Sequence, residues 1–303
     1  MGRYSATAWV TGVLLALAVA AGCGKGAATE QKSDPKPAVA EAGLTLRVPE
    51  GEKATYHATI RTAFSGRSLN GQALPVSMPL TGKTQMEYDA DLHFEKVTGT
   101  EATVNYTLSG IKVETEVGGT ALPVTTAPGD MRFTMKLDTV TRKLLDFTLG
   151  PEYAGVLDKE HLMPTLEKMF VQWPQGASPK PGDSWTVETP LPLDLQTIRG
   201  ESKISVTTTY ESNETRNGVQ VAKLVSTGSG PITLSGDTNG VIFTVKGTIE
   251  LTGVQYIDLK TGLPQSVESR STFKFTQSMK EQKSGLALDT EMESTSEMSM
   301  VRK

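Results

Sequence analysis

Apolar and polar residues alternate along most of this chain with a period of two. Met86, Tyr88, Ala90, Leu92 and Phe94 are interleaved with Glu87, Asp89, Asp91, His93 and Glu95. On a strand this spacing sends one set to each face, so it predicts a half-buried antiparallel strand. Val241, Phe243, Val245, Gly247, Ile249 and Leu251 repeat the pattern against Ile242, Thr244, Lys246, Thr248, Glu250 and Thr252. Val267, Phe273, Phe275 and Met279 do the same against Glu268, Arg270, Thr272, Lys274 and Thr276. Shorter series run through Tyr56, Ala58 and Ile60, through Ala102, Val104, Tyr106 and Leu108, and through Met131, Phe133, Met135 and Leu137. Ile204, Val206 and Tyr210 form another, and Leu286, Leu288 and Met292 mark a last strand.

The two halves follow one plan. Advancing by about 120 positions lays Ala102, Thr107, Ser109 and Gly110 on Ala222, Thr227, Ser229 and Gly230, then Asp138 and Thr141 on Asp258 and Thr261. Each half opens with a turn feeding an aromatic strand: Pro49-Glu50-Gly51-Glu52 before Tyr56, and Pro181-Gly182-Asp183 before Trp185. In the second turn Gly182 supplies the positive φ of a type II turn. Asp183 is placed to bond its own downstream backbone, and Trp185 to bury an anchor at the strand start. Between the halves, residues 152–171 are the one helical candidate. Leu162, Leu166, Met169 and Phe170 form a stripe, and Pro164 suits the first turn of a second short helix. Residues 173–182 read as a connector rich in Pro and Gly. The expected fold is all-β with a short helical insert: internally duplicated antiparallel sheets, arranged as curved half-barrels or a clam-like sandwich.

The N-terminus departs from this pattern. Arg3 precedes an apolar run at residues 6–22, too short and too poorly flanked for a membrane span, which reads as a signal peptide. It closes on Val19-Ala20-Ala21-Gly22-Cys23, similar to the lipobox of bacterial lipoproteins, although Ala20 stands where lipoboxes usually carry Leu. That resemblance implies that Cys23 is diacylated and becomes the mature N-terminus. Residues 23–43, with Pro35 and Pro37 and no apolar periodicity, form the expected lipidated, flexible tether. Lipoprotein sorting in Gram-negative cells implies the outer rather than the inner membrane, because Gly24 follows the cysteine.

Composition narrows the rest. Cys23 is the single cysteine of 303 residues, so no internal disulfide forms and core burial must hold the fold. A formal net charge of −4, with acidic and basic residues interspersed, argues against a nucleic-acid partner. Lys180-Pro181-Gly182-Asp183-Ser184-Trp185, followed by residues 256–264 (YIDLKTGLP), resembles the pattern of a family of uncharacterised bacterial lipoproteins. The resemblance spans most of the mature chain and implies no activity. In outline, a sheet curved around a helix after a lipidated cysteine is also similar to periplasmic carriers of lipids and lipoproteins, a likeness of fold that does not carry function.

Few residues stand in arrangements that chemistry requires. His57, His93 and His161 are the three histidines, and none stands in an H-x-x-x-H or H-E-x-x-H arrangement. His57 and His93 alternate onto polar faces. Ser184 lacks the strand-to-helix context of a nucleophile elbow. Asp89 with Asp91, Glu114 with Glu116, and Glu291 with Glu293 share a face at about 6.5–7 Å, a spacing compatible with glycosidase acids, but each lies on a solvated face. No catalytic residue, cofactor or metal is expected. Met86, Met131, Met135, Phe243, Phe273 and Phe275 are the candidate lining of a site for a hydrophobic ligand.

The chain divides into a signal peptide (1–22), tether (23–43), first β half (44–150), helical insert and connector (151–180) and second β half (181–303). It reads as a lipid-anchored cell-envelope protein with a non-enzymatic binding or structural role. Its expected partners are the membrane, through the lipid, and a hydrophobic small molecule or another envelope protein. A carrier of a lipid or other hydrophobic ligand is one alternative, and a carboxylate-dependent hydrolase another. An outer-membrane barrel is disfavoured by the scarcity of aromatic residues, 6% of the chain.

Overall fold

The structure, a computed structural model, describes residues 44, 46–70, 72–73, 81–126, 129–140, 143–150, 179–192, 198–238, 241–281 and 287–303. The signal peptide, Cys23, the tether and the helical candidate at 152–171 lie outside them.

The alternation becomes strands of unusual length. They are β1 (Lys53–Leu69), β2 (Gln72–Ala73), β3 (Thr81–Thr98), β4 (Glu101–Val117), β5 (Thr120–Ala121), β6 (Thr125–Thr126), β7 (Met131–Asp138) and β8 (Leu144–Leu149). The second half adds β9 (Ser184–Pro192), β10 (Ile198–Arg216), β11 (Val219–Thr238), β12 (Val241–Asp258), β13 (Pro264–Glu281) and β14 (Ala287–Arg302). All belong to one antiparallel sheet of order β8-β7-β4-β3-β1-β14-β13-β12-β11-β10-β9, with β2, β5 and β6 attached to its flanks. The described residues include no pairing of β8 with β9, so the sheet is open. β9 carries Pro190 and Pro192, which lack the N–H that a further strand would need, as suits an edge.

The sheet is two copies of one five-stranded meander, β1-β3-β4-β7-β8 and β9-β10-β11-β12-β13, with β14 as the seam between β1 and β13. The copies share register. Glu101 faces Asp138 and Val104 faces Met135 in the first; Val221 faces Asp258 and Leu224 faces Gln255 in the second. Their opening turns make the same bonds. Gly51 N–H donates to Phe94 O (2.7 Å) and Phe94 N–H to Glu52 O (3.0 Å). In the second copy Gly182 N–H donates to Tyr210 O (2.7 Å) and Tyr210 N–H to Asp183 O (2.9 Å). Gly51 and Gly182 both have positive φ, 85° and 94°, which only glycine adopts without strain. The Asp183 carboxylate differs from expectation: it accepts from the Lys180 N–H upstream, at 2.8 Å, and so closes the turn from its start. Trp185 is half-buried against Tyr210, Ala222, Leu224 and Ile257 rather than fully enclosed.

One face of the sheet is apolar and holds the core. Its main cluster takes inward residues of β1, β3, β4, β7 and β8, among them Tyr56, Phe94, Tyr106, Phe133, Met135 and Phe147, each no more than 6% exposed. Burying a side chain of this size contributes about 1.5–3 kcal/mol. Two smaller clusters occupy the second half: Ile204, Val206, Ile232, Ile249 and Leu251, and Leu44, Tyr210, Ala222, Leu224 and Ile257. The N-terminal segment bridges the halves. Leu46 and Val48 enter the main cluster and Leu44 a second-half one, while Leu46 N–H donates to Thr139 O and Arg47 N–H to Thr261 O, both at 2.9 Å. One strap thus ties the β7–β8 turn to the β12–β13 turn.

Neighbouring backbone comes closest to the inward face where side chains are absent. A Cβ added at Gly230 would overlap the Lys203 carbonyl oxygen, and one at Gly247 the Lys274 carbonyl oxygen. Neighbouring strands reach these glycines only because no side chain stands there.

Candidate functional site

The outward face is a field of hydroxyls and charges in register. One rung runs Glu114, Gln85, Arg61, Glu297, Arg270, Thr252, Thr227, Thr207 and Thr186 across nine strands. Arg61 Nε donates to Gln85 Oε1 (3.1 Å), Arg270 pairs with Glu297 (3.4 Å), and the Thr186 and Thr207 hydroxyls share a bond of 2.8 Å. Two shallow troughs meet on this rung at Arg61 and Glu297. One, about 620 Å³, runs toward Glu114, Glu116 and Leu122; the other, about 490 Å³, runs toward Val225 and Val254. Their ion pairs are solvent-exposed and screened, so each contributes little to stability.

The candidate acid pairs are spread across this face. Asp89 takes His57 Nδ1 at 2.9 Å and Lys303 Nζ at 2.8 Å, while Asp91 accepts from the Thr55 hydroxyl at 2.6 Å. The Lys303 hydrogen bond, then that of His57, holds the Asp89 carboxyl below the usual aspartate range. Glu114 pairs with Lys112, whose ammonium it holds above its ordinary value, and Glu293 pairs with Arg67. No two of these pairs converge on a common cleft. His93 is half-buried on the outward face of β3, and His161 lies outside the described residues. Ser184 is exposed and bonds the Thr209 hydroxyl (2.7 Å), as a cross-strand partner. Among the described residues no three His, Cys, Asp or Glu gather closely enough to hold a metal ion.

The candidate ligand lining is divided. Met86 and Met135 are buried in the main cluster and Met131 packs against it, whereas Phe273 packs with Ile249 and its neighbours in the second half. Phe275 is half-buried beside Gly247 on β13, and the backbone of Phe243 pairs with Met279 at the far end of β12. In the sheet order β4, β3, β1 and β14 stand between Met135 on β7 and Phe273 on β13. Buried tyrosines complete the first cluster: burial raises the Tyr88 and Tyr106 hydroxyls well above the ordinary phenol range, so both stay neutral.

Between the clusters the apolar face carries a seam of hydroxyls. Thr62 on β1, Ser296 on β14 and Ser271 on β13 form one inward rung, with Ser269 and Ser294 beside it. Thr62 and Ser296 bond each other at 3.1 Å. Ser271 is 2% exposed, and its Oγ has no hydrogen-bond partner among the described residues. The seam has a signature in the sequence: the apolar series of β13 skips from Val267 to Phe273, and the skipped positions are Ser269 and Ser271.

Compared with known proteins, the chain matches no family model and no curated sequence. Among solved structures, an outer membrane channel from Pseudomonas putida F1 overlays 90% of this chain and 100% of its own, at 12% identity and a TM-score of 0.26.

Proposed function

We propose that this is a lipid-anchored protein of the bacterial cell envelope, held by acylated Cys23, with a non-enzymatic binding or structural role. The observation that carries the reading is the apolar run at residues 6–22 closing on Val19-Ala20-Ala21-Gly22-Cys23, in a chain with no second cysteine. The body is suited to hang from such an anchor. Its first described residue, Leu44, is 3% exposed and packed against the second half, so the chain is fixed to the sheet at that point. The residues from Cys23 to Leu44, fully extended, would reach roughly 70 Å. Gly24 after the cysteine favours the outer membrane if the cell is Gram-negative. At least one carboxylate of each pair is engaged by a neighbouring cation on an open face, Asp89 by Lys303, Glu114 by Lys112 and Glu293 by Arg67, which supports a role without a chemical step.

Mass spectrometry of the mature N-terminus tests the anchor. The expected species begins at Cys23 and carries acyl chains. Cys23→Ser should shift the protein from the membrane to the soluble fraction. An unmodified Cys23, or cleavage at another residue, overturns the reading.

A further inference from the structure

The N-terminal strap joins parts of the sheet that the ladders alone would keep far apart. Leu46 and Arg47 are neighbours in sequence, and their N–H groups reach Thr139 O in the β7–β8 turn and Thr261 O in the β12–β13 turn. Five strands, β4, β3, β1, β14 and β13, lie between β7 and β12. On a flat sheet that order would part the two turns by about 29 Å. Donation from adjacent N–H groups instead holds the two carbonyl oxygens within about 10 Å of each other. At this end, therefore, the open sheet curls on itself and the strap spans the gap. Leu44 is seated in a second-half cluster, and Leu46 and Val48 in the main one, each no more than 7% exposed.

We propose that the strap is a latch: seated, it holds the β7–β8 turn to the β12–β13 turn; withdrawn, it lets the sheet uncurl at that end and uncovers the apolar cluster beneath. The two catches are built without the latch. Asp138 Oδ1 caps the Val140 N–H, Asp258 Oδ1 caps those of Lys260 and Thr261, and Thr139 is tied to Thr100 O through its N–H (2.7 Å) and its hydroxyl (3.2 Å). Both carbonyls therefore stay presented when the strap leaves, and it can reseat. The strap is held less firmly than the strands: it grips two turns, whereas β1 is paired with β3 and β14 along its length. Segments held in this way open below the cost of global unfolding. The cluster it covers includes Leu137, Leu144 and Leu263, which come from the ends of the two turns. A pull on the chain upstream of Leu44 would draw Leu44 out first and Leu46 next, so a tether could work the latch. Only that source of the pull rests on the anchor proposed above.

The test measures the distance between the two turns in the full-length chain. Val140→Cys and Lys260→Cys place nitroxide labels on exposed positions of the turns, in a Cys23→Ser background that leaves no other thiol. Electron–electron resonance should give one short distance with the strap seated. Leu46→Asp, which cannot seat an unpaired charge, should lengthen the distance by about 10 Å or more in most molecules. Leu46→Ala, the milder cut, should raise the long-distance fraction at least tenfold, the scale of one lost leucine contact. Amide exchange over 44–48 should rise with it, while exchange over 86–94 in β3 stays at the parent's rate. Val206→Ala, a core cut away from the strap, should leave the distance unchanged. An unchanged distance in both Leu46 variants would mean that the strap frays without opening the sheet. Exchange in β3 rising by the same factor as in the strap would mean global unfolding. Either result overturns the latch. Because Cys23 is absent from every labelled chain, failure of the anchor and failure of the latch are read separately.

Discussion

The two meanders share a backbone plan and fill it differently. Tyr106 and Phe133 face each other in the first, with ring centroids 6.0 Å apart. The corresponding positions in the second are Ser226 and Gly253, and Leu108 corresponds to Gly228. Large side chains seal the first half; small ones leave the second thinly filled, with the Ser226 hydroxyl bonded to Thr208 at 2.9 Å. Register survives the exchange, so core side chains are not what sets it. The turns are what the halves keep. Asp138 N–H donates to Lys143 O, and Asp258 N–H to Leu263 O. In each turn the aspartate Oδ1 also caps the N–H two residues on, Val140 at 3.0 Å and Lys260 at 2.7 Å. Polar caps hold the ladder in place, which frees the inward face to vary.

Gly110 and Gly230 probe this comparison most strongly, because they occupy the same place and serve different ends. At Gly110 the β3–β4 ladder skips Tyr88, Gly110 and Ile111, a bulge that moves the inward set from Leu108 to Ile111 and Val113. Gly110 has φ of 61° with open space around it. Gly230 sits under the Lys203 carbonyl. Gly230→Ala should therefore cost about 3 kcal/mol through overpacking against backbone, and Gly110→Ala about 1 kcal/mol through backbone strain alone. Urea unfolding reads both. Equal losses would show that the two glycines answer to one constraint.

A smaller difference separates the two aspartate caps. Asp258 is 7% exposed, caps the Lys260 and Thr261 N–H groups, and has Arg302 3.9 Å away. Asp138 is half-buried. Asp258→Ala should cost about 2–3 kcal/mol, since charge-assisted bonds are lost and a nearly buried arginine loses a partner. Asp138→Ala should cost about 1 kcal/mol. The order would reverse if the first-half turn, rather than the second, anchors the strap formed by Leu46 and Arg47.

Much of the architecture was legible in the alternation. The Met86–Phe94 series is β3, with its apolar set inward, and the match of Ala102 with Ala222 and of Asp138 with Asp258 appears in the ladders as common register. β11 and β8 were harder to see. β11 carries Gly228, Gly230 and Pro231 inside a strand, and those residues normally signal turns. β8 is only six residues long, with Leu145 turned outward. The seam was hidden for a related reason. A search for apolar stripes passes over serine, although Ser271 occupies an inward position as fully buried as the neighbouring leucines. Methionine and phenylalanine fill cores and cavities alike, so their alternation does not reveal which of the two they serve, and only pairing order places four strands between Met135 on β7 and Phe273 on β13.

The smallest effect lies on the outward face, where the halves differ in charge. His57 and Asp89 face each other in the first half; Glu188 and Ser205 stand at the corresponding places in the second. Lys303 completes the first-half cluster: its N–H donates to Thr55 O at 2.9 Å, and its ammonium reaches Asp89 across β1. The Asp89 carboxyl therefore titrates below the ordinary value of 3.8. A depressed folded-state value means that the chain gains stability from Asp89 above pH 3.8 and loses it as pH falls through the folded value. Because Asp89 is exposed to solvent, screening keeps that gain small. Lys303→Ala removes the larger cause and leaves His57, so the Asp89 carboxyl should move back toward 3.8 in an NMR titration while the acid limb of the unfolding curve shifts only slightly. An Asp89 titration unchanged by Lys303→Ala would assign the depression to His57 alone and reduce the first-half cluster to one cross-strand pair.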